Sequence, residues 1–479
     1  MSSNWSRKSQ PWYTNRPGAE TYTASPPPAR GDLIRSIRID ELEGQAEKYA
    51  HLTTVRDART VTSYNWLDKG GAGPNIFVPG RPPVWTPQSN PSRLKEDSGS
   101  YFRDKNAARY PKHPMEPAVV ASLAADDTIP AEVDIMACGS TFGNLLRFVR
   151  GQNKSCRMLV YKLGRTVFLV RRENSPTELI PGVRGFGHTF PEANTTWEAD
   201  VRGSASHQRV LRYSFGGLEL LVRFEADGYI KPTSSKSTPS QSPPNNNPAT
   251  TLDDLTGSLS TTTISPPSFF SSSSLSSSPA LSITPAGALT PQSTLLDLKT
   301  RSTKTRYERD HLAEELPRLW IAQIPTFILA FHTRGLFLTQ DIEIRDVRDE
   351  VKKWEEEHSK ELAMLAGLLH WIREVVQQEG GEEGRVEIFL GQNTDGKLEV
   401  RKVVGAVGGV VSEGVREQWE RSGKDGGVEE KGGDSGRSDG EKGVDGEGHE
   451  NGLAWDDEET PDYTACSAEE CGYCGRCDY

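Results

Sequence analysis

Between Lys231 and roughly Ala288 the sequence turns largely to Ser, Thr and Pro, with Asn245-Asn246-Asn247 within it. Such a stretch carries too little apolar surface to offset the entropy of ordering it. It reads as a disordered insertion, so any packed core must be assembled from the pieces on either side. Loop closure costs only about 0.6 kcal/mol per doubling of length, which lets the insertion sit inside one domain with its flanking strands still paired. The outline that follows is a disordered arm over 1–32 and a core over 33–405 with the insertion at 231–290. A disordered acidic, Gly-rich linker over 406–460 and a Cys-rich tail over 461–479 complete it.

The composition agrees with one core and unpacked flanks. Apolar residues make up 34% of 479, below the usual share of a globular chain, and mean hydropathy is -0.60. No charged segment followed by an apolar run opens the sequence, and no stretch of eighteen or more apolar residues occurs. The expectation is a chain neither secreted nor membrane-spanning, working in the nucleus or cytoplasm. Net charge is -11, but much of the acid lies in the C-terminal tail and does not exclude an anionic partner for the core. Four of the six cysteines fall in the last fourteen residues, a poor distribution for a disulfide framework and a better fit to a reducing compartment.

Within the core, Asp134–Val149 reads as a helix or a strand-to-helix turn, with Leu145, Leu146 and Phe148 in partial helical spacing. Arg157–Leu163 and Thr166–Arg171 form a hairpin pattern about Gly164, and Val210–Tyr213 and Leu218–Ile230 another about Gly216-Gly217. Short pieces from Leu33 to Gly80 read as an irregular layer over the core. Glu308–Trp320 reads as a helix that Pro317 must kink or end. Thr326–Phe331 reads as a buried strand. Apolar residues at three- and four-residue steps from Val347 to Val376 predict one long amphipathic helix, and Arg385–Leu390 with Lys397–Val404 a last hairpin around Asp395-Gly396.

The chemistry concentrates on two strands. In Leu220–Asp227 the two-residue period places Val222, Phe224 and Ala226 on one face and Arg223, Glu225 and Asp227 on the other. In Leu295–Lys299 it aligns Asp297 with Lys299. Two carboxylates on a buried strand are costly unless a cation neutralises them. If the strands meet, three acids and a lysine surround one or two Mg2+ or Mn2+ ions, which suffices for phosphodiester or phosphoanhydride hydrolysis. Spacing alone leaves a plainer alternative, a strand end at Gly228 and a surface acid–lysine pair.

The surrounding residues add a resemblance. Asp134-Ile135-Met136-Ala137-Cys138-Gly139, Glu225-Ala226-Asp227, Asp297-Leu298-Lys299-Thr300-Arg301, Leu319-Trp320 and Ile324-Pro325-Thr326-Phe327-Ile328 together resemble the ordered motifs of the DXO-like decapping exonucleases. That resemblance implies an α/β (α+β) fold of the PD-(D/E)XK type, a restriction-endonuclease-like mixed central sheet flanked by helices. It also implies Mg2+- or Mn2+-dependent action on RNA 5′ ends, with RNA as the partner. The family's Glu-x-Asp falls on Glu225 and Asp227 and its Glu-x-Lys on Asp297 and Lys299. A further metal-site glutamate falls on Glu192 in Gly187-His188-Thr189-Phe190-Pro191-Glu192. Two departures stand out: Asp297 is one methylene shorter than glutamate, and Ala330-Phe331-His332 stands where the family has Gly, an aromatic and Arg. A nuclease-derived binding module that no longer turns over is the alternative these departures motivate.

The whole chain is also similar to a group of uncharacterised fungal proteins sharing Ser63-Tyr64-Asn65-Trp66, Tyr101-Phe102-Arg103-Asp104 and the cysteine tail, often labelled geranylgeranyl pyrophosphate synthetase. Isoprenyl synthases hold diphosphate through paired Asp-Asp-x-x-Asp motifs. Asp126-Asp127, Asp253-Asp254 and Asp456-Asp457 all lack the last aspartate, so the label is disfavoured. Cys466, Cys471, Cys474 and Cys477, spaced C-x4-C-x2-C-x2-C, offer four thiolates to a tetrahedral Zn2+. The competing reading is a reduced, disordered tail. The interleaved Tyr101, Phe102, Arg103, Lys105, Arg109, Tyr110 and Lys112 suit either a single-strand surface or an inward-packed layer. His188 and His207 read as structural histidines before ligands.

Overall fold

The computed structural model describes residues 25–68, 73–152, 154–180, 183–232, 280–380, 384–391, 394–405 and 407–425. Most of the 231–290 insertion and the cysteine tail, with its expected Zn2+, lie outside them. Among the described residues the strands form two mixed sheets, of eleven and six strands, flanked by helices, so the α/β expectation holds.

The large sheet is built on the hairpins that glycine turns announce. Cys156–Leu163 pairs antiparallel with Thr166–Arg171, and Ser204–Phe215 with Leu218–Glu225. Gly216 and Gly217 take φ of 64° and 74° at the second turn, a region that only glycine enters without strain. Ile135–Cys138 lies parallel between Leu218–Glu225 and Thr166–Arg171, and the chain passes from it straight into the helix Gly139–Val149. Leu218–Glu225 is buried on both faces. Leu220, Val222 and Phe224 join a cluster with Phe142, Trp320 and Leu365, while Leu221 joins Val119, Phe168 and Trp419 on the far side. That explains its nearly unbroken apolar run.

Several expectations needed correction. Arg56–Leu67 is a twelve-residue strand of the large sheet rather than part of an irregular layer, pairing with Ser204–Phe215 over most of its length. Within the supposed insertion, Ser282–Gly287 is a strand parallel to Asn75–Gly80, because pairing there needs backbone groups and not apolar side chains. The arm ends early, since the carbonyls of Pro28 and Ala29 accept from Arg157. The linker begins late: the helix Glu413–Asp425 buries Val415 and Trp419 against Phe168. Pro317 sits inside the helix His311–Ala322 without ending it, buried Leu312, Leu319 and Trp320 holding the helix to the core.

The long helix is two, Arg348–Glu357 and Ser359–Glu379, meeting at His358. The break lets Trp354 pack on Trp320 and His358 stack on Trp354. Among the described residues no helix is long and apolar enough to cross a membrane.

The smaller sheet runs Ile342–Asp346, Thr326–His332, Leu295–Ser302, Gly228–Tyr229, Val84–Trp85 and Thr195–Thr196. One of its links to the large sheet is the chain segment Ala226-Asp227, and this seam positions the site.

Candidate functional site

The strand Leu218–Glu225 ends at Glu225, and three residues later Gly228 pairs opposite Leu296 in the smaller sheet. Asp227, turned at this crossing, accepts a 2.8 Å hydrogen bond from the backbone N–H of Leu298. In Leu295–Ser302 the two-residue alternation sends Leu296 and Leu298 into a small apolar cluster with Phe190 and Phe337. It sends Asp297 and Lys299, only 1% and 6% exposed, the other way. Asp227 is thus brought beside Asp297 and Glu225 at a seam between two sheets, while Lys299, on the same strand face as Asp297, faces Glu315 at 3.9 Å.

The electrostatics record the crowding. Burial, with Asp297 and Glu225 as like-charged neighbours, pushes the Asp227 carboxyl up to about 7, against the opposing pull of Arg318 and the Leu298 N–H. Arg318 supplies the principal counter-charge. Its two terminal nitrogens donate to both carboxylate oxygens of Asp297, and its Nε donates to Glu315 at 2.9 Å. Glu315, buried one helical turn before Arg318, also faces Arg301 at 3.4 Å and Lys299 at 3.9 Å. Although burial pushes its carboxyl up, Lys299, Arg318 and Arg301 hold it below the usual range.

Glu225 is engaged from the opposite side, by Lys105 Nζ at 3.0 Å and by the Gln208 side chain at 3.4 Å. Lys105 opens a short helix, Lys105–Arg109, whose N-cap Asp104 accepts from the N–H groups of Asn106 and Ala107. Asn106 Oδ1 in turn accepts from Tyr64 and Trp66. The lysine is thus anchored to the core through the Ser63-Tyr64-Asn65-Trp66 segment.

Glu192 is exposed on the helix Thr189–Asn194, its carboxyl raised by partial burial and by Asp97 and Asp68. His188 stacks on Tyr101 at 3.8 Å and is lowered to about 4 by burial and Lys105, hence neutral near pH 7. His207 is buried, bonded to Asn65 at 2.6 Å, and held neutral by burial and Arg209. His332, likewise lowered to about 4 by burial, packs among Phe186 and Phe337, so no cation stands where the resemblance implies arginine.

Whether these carboxylates fit a divalent ion turns on their free oxygens. Asp297 gives both to Arg318, Asp227 gives one to the Leu298 N–H, and Glu225 is held by Lys105 and Gln208. Among the described residues no three His, Cys, Asp or Glu side chains gather as a metal-holding group. As arranged, the donor set does not fit Mg2+ or Mn2+. Arg318, which supplies the counter-charge, and Glu315, the second acid it spans, were not legible as site residues. Their only sequence signal is an acid and an arginine one helical turn apart.

Comparison with known proteins gives one family match: the model described as Domain of unknown function (DUF8563) spans residues 45–419. No curated protein matches the chain. Among solved structures, Rai1 of Scheffersomyces stipitis in complex with (3′-NADP)+ and calcium ion is similar at 12% identity and a TM-score of 0.48, covering 81% of this chain and 100% of that one. Rai1 of S. pombe is similar at 11% identity and 0.46, covering 77% and 99%. Dxo1 of K. lactis in complex with manganese is similar at 8% and 0.42, covering 80% and 97%.

Proposed function

Because the chain belongs to the DUF8563 family, whose description assigns no chemistry, we infer its function from the site itself and propose a binding module for RNA 5′ ends. In this reading arginine and lysine neutralise the buried carboxylates and no divalent ion is needed. The observation that carries it is Asp297, both of whose oxygens accept from Arg318. A metal-dependent centre needs carboxylate oxygens free for the ion, and these are taken by the chain's own cation.

One further feature supports an anionic ligand: Lys105 keeps 26% of its side chain exposed, so it can meet a phosphate while holding Glu225. The RNA 5′ end is chosen over other phosphates because the motifs at Asp134–Gly139, Glu225–Asp227 and Asp297–Lys299 resemble those of the decapping exonucleases.

A second reading, Mg2+- or Mn2+-dependent hydrolysis at RNA 5′ ends, is favoured by one observation. Asp227 sits beside Asp297 and Glu225 with its carboxyl raised to about 7, a crowding that a divalent cation would relieve. Incubation of the full chain with Mn2+ and RNAs bearing GpppN, NAD or triphosphate 5′ ends separates the two. RNA retained intact supports the module. Mn2+-dependent product that disappears in Glu225→Gln and Lys299→Ala establishes the hydrolase in its place.

A further inference from the structure

We propose that Arg318 is the resident cation of this pocket, standing where a divalent ion would sit and closing the acidic cluster to metal. The inference rests on the reading of the pocket as a metal-free binding site and names the residue that enforces it. Removing Arg318 should therefore uncover a metal site that the wild-type chain lacks.

The geometry points there from three directions. The guanidinium donates to both oxygens of Asp297 and, through Nε, to Glu315, a planar fork spanning two buried acids. Its helix is fixed in place by buried Leu319 and Trp320, the latter donating Nε1–H to Glu355 at 2.8 Å, which holds the Arg318 backbone within reach of Asp297. Four cations already line the cluster: Lys105, Lys299, Arg301 and Arg318 face Glu225, Asp297, Glu314 and Glu315. Adding a divalent ion beside them is unfavourable. Taking Arg318 away leaves the cluster short of one positive charge and frees both Asp297 oxygens, donors of the type a hard cation takes.

The test is calorimetric titration of the full chain with Mn2+ in the absence of RNA, Mn2+ being a poor partner for the thiols of the C-terminal cysteines. Wild type is compared with Asp227→Asn alone, with Arg318→Met, with Arg318→Gln, which keeps a polar head should the first fail to fold, and with Arg318→Met combined with Asp227→Asn. The expected result is no Asp227-dependent binding by wild type. The folded Arg318 variants should bind about tenfold or more tightly than wild type, melt at higher temperature with Mn2+, and lose both gains with Asp227→Asn. Asp227-dependent Mn2+ binding by wild type overturns the inference, as does a folded Arg318 variant that gains no site. RNA retention measured on the same samples keeps the two ideas separable. Intact RNA retained by wild type alongside either negative result removes the role of Arg318 and leaves the binding module standing. Turnover of RNA by wild type with Mn2+ removes the module itself.

Discussion

Asp227 is the residue whose titration reports on the site. Its folded-state carboxyl is raised from 3.8 to about 7, by burial first and then by Asp297. The folded chain therefore holds a proton that the unfolded chain releases, and this group's contribution to stability falls as pH rises across that interval. Asp227→Asn, which keeps an oxygen to accept from Leu298, should flatten the decline. Urea unfolding at pH 5 and pH 8 checks it: the variant gains on wild type at the higher pH, and an unchanged difference between the two pH values counts against the assigned protonation. Strand periodicity placed this residue on one face with Glu225, and Asp297 with Lys299, because side-chain direction in a strand alternates with every residue; the resemblance of the surrounding motifs singled them out. Arg318 and Glu315 were not legible, since where a helical side chain points depends on how the helix docks.

At the scale of elements, turns were easier to read than helix ends. Gly164 and Gly216-Gly217 marked their hairpins because positive φ is a local demand. The division at His358 left no local mark. Apolar residues continue at helical steps through it, and the break follows from the distant contact between Trp354 and Trp320. The short helix Lys105–Arg109 is held by its cap, Asp104, whose carboxylate serves two N–H groups. Asp104→Ala should cost about 1 kcal/mol and loosen Lys105 from Glu225, so chemical denaturation and RNA retention should decline together. Loss of stability with retention untouched would separate Lys105 from the binding surface.

Over the whole molecule, composition located the core but blurred its edges. Ser282–Gly287 joins a sheet from within a polar stretch, and the helix Glu413–Asp425 covers the far face of the large sheet from within a charged one. In both cases a few contacts with sequence-distant strands decide order, and composition does not register them. Trp419, 1% exposed and edge-on to Phe168, should therefore behave as a core residue. Trp419→Ala is expected to cost about 3–5 kcal/mol, measured by urea unfolding, whereas a chain ended after Asp425 should still unfold cooperatively. What the two sheets enclose at their seam is tested most directly by equilibrium binding of a 5′-triphosphate RNA to the full chain, once in EDTA and once in Mn2+. Equal affinity in both, intact RNA afterwards and weakened binding by Lys105→Glu are the predicted result; binding or cleavage that needs Mn2+ would contradict it.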